Sequence, residues 1–200
     1  CKNVIPNFYF LSLALCKKNA SKSFIGQLYK SFKNEQKKFK CYLAGGDIVN
    51  SQRLTITIIF VGKYKKNIFR RSKATAGQDL YVTGHLGDAD VGLNILKKKI
   101  NLKKNNNFFI NRFYYPKIQS NFVNCFDKIV TSSIDISDGL IKDVTHILNT
   151  SKVGAKINID ALPISNLFIK AVKENKIKIQ NHVFAGDDYQ ILFTAKKNDR

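Results

Sequence analysis

The sequence predicts a globular chain of interspersed strands and helices divided into two parts. Three observations carry this. Apolar runs rich in Ile, Val, Thr and Phe recur at strand length, stretches with apolar residues at helical spacing lie between them, and a basic, polar stretch from Gly62 to Lys73 separates a shorter N-terminal part from a longer C-terminal one. A chain of 200 residues accommodates one large domain or two small ones and buries about 70 % of its unfolded surface on folding. Hydrophobic residues at 44%, with 12% aromatic, exclude intrinsic disorder, and 11 Gly and 3 Pro exclude a collagen-like or Pro-rich linker chain.

Element by element, the apolar run Phe8 to Cys16 reads as a buried strand. Ser23 to Phe39 carries Phe24, Leu28, Phe32 and Phe39 among lysines and reads as a one-faced helix. Tyr42-Leu43-Ala44 runs into Gly45-Gly46-Asp47 at a strand end, and Leu54 to Val61 reads as a second buried strand. Beyond the basic stretch, Asp79 to Gly84 is a short strand, Ala89 to Lys98 a helix, and Lys97 to Asn107 a polar insertion. Lys128 to Ile136 is read as a strand ending in Asp135-Ile136-Ser137-Asp138-Gly139. Leu140, Ile141, Val144, Ile147 and Leu148 then recur at helical spacing, with Ser137 or Asp138 as the cap. Gly154 to Ile159 reads as a strand, Ile164 to Lys173 as a helix, and Gly186-Asp187-Asp188 opens a last strand, Tyr189 to Ala195.

The charge is large: +20, from 34 Lys and Arg against 14 Asp and Glu. A nucleic-acid partner would account for it, but Lys is spread along the chain and Arg, the better bidentate reader of phosphate and bases, is scarce. The charge therefore reads as compositional drift. Cys1, Cys16, Cys41 and Cys125 form no CxxC pair and, with three scattered His, suggest no zinc site. Free thiols in a reducing, cytoplasmic compartment are expected. No apolar run approaches the roughly 20 residues that span a bilayer. The glycines at 84, 87 and 92 are followed by no Gly-Lys-Ser/Thr, so neither a Walker loop nor a dinucleotide fingerprint is present.

Five of the 14 acids fall in three compact groups beside glycine: Asp47, Asp135 with Asp138, and Asp187 with Asp188. Turn and cap roles account for any one group. Three together suggest a metal site, because carboxylates about 4 Å apart repel by roughly 4 kcal/mol at an effective dielectric near 20 and a divalent cation removes that cost. All-oxygen ligation suits Mg²⁺, which uses one or two carboxylates with water and substrate phosphates. The helix start after Asp138 offers backbone amides to a phosphate. Phosphoryl transfer fits these parts, since its catalysis is mostly positioning and charge neutralisation.

Gly45-Gly46-Asp47, Arg71-Ser72, Tyr81-Val82-Thr83-Gly84-x-x-Gly87-Asp88, Ile134-Asp135-Ile136-Ser137-Asp138-Gly139-Leu140 and Gly186-Asp187-Asp188-Tyr189-x-Ile191-Leu192-Phe193 stand in the order and approximate spacing of thiamine-monophosphate kinase, which the sequence resembles. The resemblance implies an α+β, two-domain fold of the aminoimidazole ribonucleotide synthetase type, usually homodimeric, with residues 1–64 a remnant of an ATP- and Mg²⁺-binding domain and 65–200 a C-terminal domain incomplete at its end. It implies transfer of the γ-phosphate of ATP to thiamine monophosphate, giving thiamine diphosphate. By motif, Asp47, Asp135 and Asp138 correspond to Mg²⁺ ligands, Gly46, Asp47, Arg71 and Ser137 to ATP contacts, and Asp187 to a contact with thiamine monophosphate. Ile48, Ala185 and Gln190 depart from the family's usual Thr, Gly and Glu. Family segments before Cys1 and after Arg200 have no counterpart, so the isolated chain is expected to lack full activity. Other readings are another ATP-using enzyme of the superfamily, a non-catalytic fragment, or a basic nucleic-acid-binding module, which leaves the acids without purpose.

Overall fold

The computed structural model describes residues 2–64, 67–120, 122, 126, 128–175 and 177–197. The chain forms two units, Val4–Ile68 and Phe69–Arg200 together with Cys1–Asn3.

In the Val4–Ile68 unit the order is β1 (Val4–Leu15), α1 (Lys22–Phe39), β2 (Tyr42–Asn50) and β3 (Thr55–Tyr64). β1 is the middle strand, parallel to β2 and antiparallel to β3. A parallel pair needs a crossover connection, and α1 supplies it. Ser21 caps α1 by accepting the Phe24 N–H at 3.2 Å, and Lys40 ends it in a left-handed conformation, φ 51°. Alternation along β1 sends Tyr9, Leu13 and Leu15 into the buried layer. Tyr9 packs on Phe32 of α1 and Phe60 of β3, and its hydroxyl accepts a hydrogen bond from Gln36 at 2.8 Å. The opposite face leaves Phe10, Tyr42, Val49, Ile59 and Val61 exposed.

Two expectations fail here. Gly45-Gly46-Asp47 lies inside β2, not at a strand end. The reason is pairing: Gly46 stands opposite Leu11, and a Cβ there would run into the Leu11 carbonyl. Leu54 to Val61 is not buried; β3 is exposed along its length because it is an edge strand.

In the other unit the order is β4 (Asp79–Val82), α2 (Asp88–Leu96), α3 (Asn106–Tyr114), β5 (Ser132–Ile136), α4 (Leu140–Ser151), α5 (Asn166–Asn175), α6 (Gln180–Val183) and β6 (Gln190–Ala195). The sheet is antiparallel in the order β4-β6-β5. Ile134, Ile136 and Leu192 face one way, into a core with Val144, Ile147 and Phe168. Ile191 and Phe193 face the other, against Phe69 and Phe122. The class is α+β, as expected.

Gly154 to Ile159 forms no strand. Val153 and Ile157 still reach the core, but residues 154–158 make no ladder and lead into a single 3₁₀ turn, Ile159–Ala161. Of Lys128 to Ile136 only Ser132–Ile136 is strand, with the Thr131 N–H donating to the Thr194 carbonyl at 2.9 Å just before it. Cys16 and Cys41 are free thiols, whereas Cys1 and Cys125 lie outside the described residues. Among the described residues no helix is long and apolar enough to cross a membrane.

Candidate active site

The Asp135–Gly139 and Gly186–Tyr189 motifs, 51 residues apart in sequence, are joined through their backbones. Register brings them together: β5 and β6 pair Ile136 with Gln190 and Asp135 with Ile191, so the turn after β5 meets the turn before β6. The Asp187 N–H donates to the Ser137 carbonyl at 3.0 Å, and the Tyr189 N–H to the Ile136 carbonyl at 2.9 Å. Glycine is required at both crossings. A Cβ on Gly186 would collide with the Ser137 carbonyl, and one on Gly139, at φ +113°, with the Phe184 carbonyl.

Asp135 is half-buried on β5, on the face of the sheet opposite Ile134 and Ile136. On that face Lys2 donates to the Ser133 carbonyl at 3.1 Å. Burial lowers the Lys2 pKa, the Arg71 charge lowers it further, and Asp135 opposes both. Lys2, Arg71 and Asp135 thus share one electrostatic neighbourhood. The Arg71 carbonyl accepts from Ser132, Thr150 and Ser151 at 2.9–3.1 Å, which fixes its backbone while the residue stays exposed.

Asp138 is exposed and meets the Lys142 ammonium at 2.9 Å. The hydrogen bond and charge of Lys142 hold its carboxyl below the usual range. The expected cap is not made by Ser137 or Asp138. Gly139 stands at the N-cap of α4 without a side-chain bond, and buried Asp143, one turn inside, accepts the N–H groups of both Ser137 and Asp138 at 3.1 Å. The physical reason is directional: Asp143 reaches back over the helix start, so these two amides are occupied and are not open to a phosphate.

Asp187 is half-buried and Asp188 buried. Asp188 turns away from Asp187 to accept the Gly87 and Ala89 N–H groups at 2.8 and 3.3 Å at the start of α2. Burial raises its pKa to about 7 despite those two bonds, with Asp88 and Asp90 adding to the rise. Gly46 and Asp47 belong to the other unit. Asp47 is exposed on β2 and accepts the Ile48 N–H at 2.8 Å.

Among the described residues no group of three or more His, Cys, Asp or Glu side chains is placed to hold a metal ion. The donor set in the β5–α4 turn, Asp135 and Asp138, is nevertheless all-oxygen, and Mg²⁺ commonly takes only one or two carboxylates beside water and phosphate. Sequence reasoning missed Lys2, Lys142 and Asp143. Lys142 stands four residues beyond Asp138 and Asp143 four beyond the N-cap Gly139, the spacing that returns a helical side chain to the preceding turn; nothing local signals Lys2.

The fold and paired turns define a class: an α+β protein of the aminoimidazole ribonucleotide synthetase-like fold. Within that class the chain resembles thiamine-monophosphate kinase in sequence and in structure. It is 35% identical over 201 residues to thiamine-monophosphate kinase of Buchnera aphidicola subsp. Acyrthosiphon pisum, covering 97% of this chain and 60% of the relative. The Aquifex aeolicus enzyme of that name is 32% identical, covering 96% of this chain and 63% of its own length. The solved structure of AaThiL complexed with AMPPCP and TMP matches with a TM-score of 0.90 at 29% identity, covering 100% of this chain and 64% of that one. E. coli HypE, a hydrogenase maturation protein, shares the fold at a TM-score of 0.78 and 17% identity, covering 98% of this chain and 61% of that one. No protein-family model matches the sequence. The chain thus spans about 60% of the length of the curated relatives it matches.

Proposed function

We propose that the chain acts in the ATP-dependent phosphorylation of thiamine monophosphate to thiamine diphosphate, in the cytoplasm. The observation that carries this reading is the joining of the Asp135–Gly139 turn to the Gly186–Tyr189 turn through the Asp187–Ser137 and Tyr189–Ile136 backbone bonds. Both motifs belong to the resemblance, and the AMPPCP and TMP bound by the solved relative support nucleotide and thiamine phosphate as the ligand pair.

In this reading Asp135 and Asp138 would hold Mg²⁺, which would supply charge neutralisation to the nucleotide phosphates, and Asp47 keeps the ligand role that the resemblance implies for it. The Lys142 ammonium beside Asp138 favours the ionised form of its carboxyl. Asp143 fixes the path of the turn by holding two of its amides. Arg71, exposed on a backbone pinned by three hydroxyls, offers a planar guanidinium to phosphate oxygens. Gly46 and Ser137 contact ATP, and Asp187 contacts thiamine monophosphate. The boundary between the ATP-binding and C-terminal domains is assigned to residues 64 and 65, and the protein works as a homodimer. The exposed apolar face of the β2-β1-β3 sheet supports the last point.

The test is calorimetric binding of a non-hydrolysable ATP analogue and of thiamine monophosphate to the 200-residue chain, with and without Mg²⁺. Nucleotide binding that needs Mg²⁺ and falls at least tenfold in Asp138→Asn is the expected result. Absence of binding by both ligands overturns the reading.

A further inference from the structure

Asp187 has a task in the reading above, while its buried neighbour Asp188 has none. The turn that holds both follows an unusual backbone path. Asp187 and Tyr189, neither of them glycine, have φ +69° and +49°, a region in which L side chains crowd the backbone. Such a path persists only where the surroundings over-determine it. One side of the turn is tied to the β5–α4 turn by the Asp187 and Tyr189 amides. The other side is tied through Asp188, whose two carboxylate oxygens separately accept the Gly87 N–H at 2.8 Å and the Ala89 N–H at 3.3 Å.

We propose that Asp188 is a positioning residue: by clamping the first turn of α2, its carboxylate holds the Gly186–Tyr189 turn in its left-handed path and so presents Asp187 beside Ser137. The proposal rests on the kinase reading for what Asp187 does, and on geometry alone for the clamp. No cation pairs with Asp188 among the described side chains. It borders a cavity of about 210 Å³ with His85, Arg112 and Lys117 on the wall. Asp88 and Asp90 of α2 add like charge, and Asp90 is itself bonded to His182 of α6 at 2.6 Å. Two backbone donors on two oxygens therefore explain why a carboxylate, rather than an amide, occupies the position. Gln190 extends the clamp, donating to the Asp188 carbonyl at 3.2 Å while its own carbonyl accepts from Thr83 and Gln119 at 3.1 and 2.8 Å.

The experiment is amide hydrogen exchange on the full 200-residue chain at pH 7.5. Asp188→Asn retains one acceptor oxygen and turns an NH₂ against the second donor. It should speed exchange of the Asp187 amide at least tenfold while the β5–β6 ladder stays within twofold. Adding Tyr189→Gly, which adopts φ +49° without steric cost, should return the Asp187 rate to within threefold of wild type. An unchanged Asp187 rate, a uniform acceleration across β5 and β6, or no rescue by Tyr189→Gly overturns the clamp. If Asp188→Asn alone does not fold, a folded double variant supports the clamp and an unfolded one overturns it. Thiamine monophosphate affinity, measured on the same proteins, should fall at least fivefold in Asp188→Asn and recover in the double variant. If the variants give the expected exchange pattern while wild type binds neither the ATP analogue nor thiamine monophosphate, the kinase reading is overturned and the clamp stands.

Discussion

Asp138 and Asp143 lie five residues apart and have opposite surroundings. Asp138 stands in solvent against Lys142, which favours its ionised form. Asp143 is buried, and burial raises its pKa although Ser137 and Asp138 donate to it. Removing that acceptor leaves two amides without a partner, so Asp143→Ala should cost about 1–3 kcal/mol, read from the urea midpoint; Asp143→Asn, which keeps one acceptor, should cost less. Asp188 carries a pH dependence whose sign follows from its raised pKa. The folded chain binds this proton up to about pH 7, the unfolded chain only up to about 3.8. Between those values the folded state holds more protons, so the contribution of this group to stability is greatest at the acidic end. It declines as pH rises toward 7 and is level above. Asp88, raised chiefly by burial, adds in the same direction. Urea midpoints of wild type, taken relative to Asp188→Asn at each pH, should therefore fall from pH 5 to pH 7.5; a flat difference would contradict the shift.

At the scale of elements, the crossing of two turns depends on glycines more than on any side chain. Gly139 combines φ +113° with a carbonyl where its Cβ would lie. Gly139→Ala should destabilise by more than the roughly 1 kcal/mol usual for such a change at a permissive site, and Gly154→Ala, in open space, should be near neutral by the same thermal-melting measurement. α1 and α4 were legible from helical spacing and β6 from its apolar run, because each depends on residues close in sequence. The capping of α4 was not. Ser137 and Asp138 are good cap residues in isolation, but Asp143 reaches them first across one helical turn. The strand expected over Gly154 to Ile159 failed for a related reason: β propensity specifies an extended segment, and only a neighbour's unpaired edge makes it a strand.

Across the whole molecule, the β2-β1-β3 sheet has α1 on one face and Phe10, Tyr42, Val49, Ile59 and Val61 exposed on the other. Contiguous apolar surface of this kind marks an interaction face. A homodimer using it should be visible by analytical ultracentrifugation at micromolar concentration and lost in Phe10→Lys/Ile59→Lys; a wild type that stays monomeric refutes the assignment. The α+β content, the positions of most elements and the identity of the motif residues were determined by the sequence alone, since periodicity and glycine-flanked acids are local patterns. That Asp187 is bonded to Ser137 while Asp188 turns to α2, and that Lys2 sits near Asp135, was decided only by tertiary structure. Antiparallel register carries residues fifty or more positions apart to within hydrogen-bonding distance, and no local pattern encodes which partner they meet.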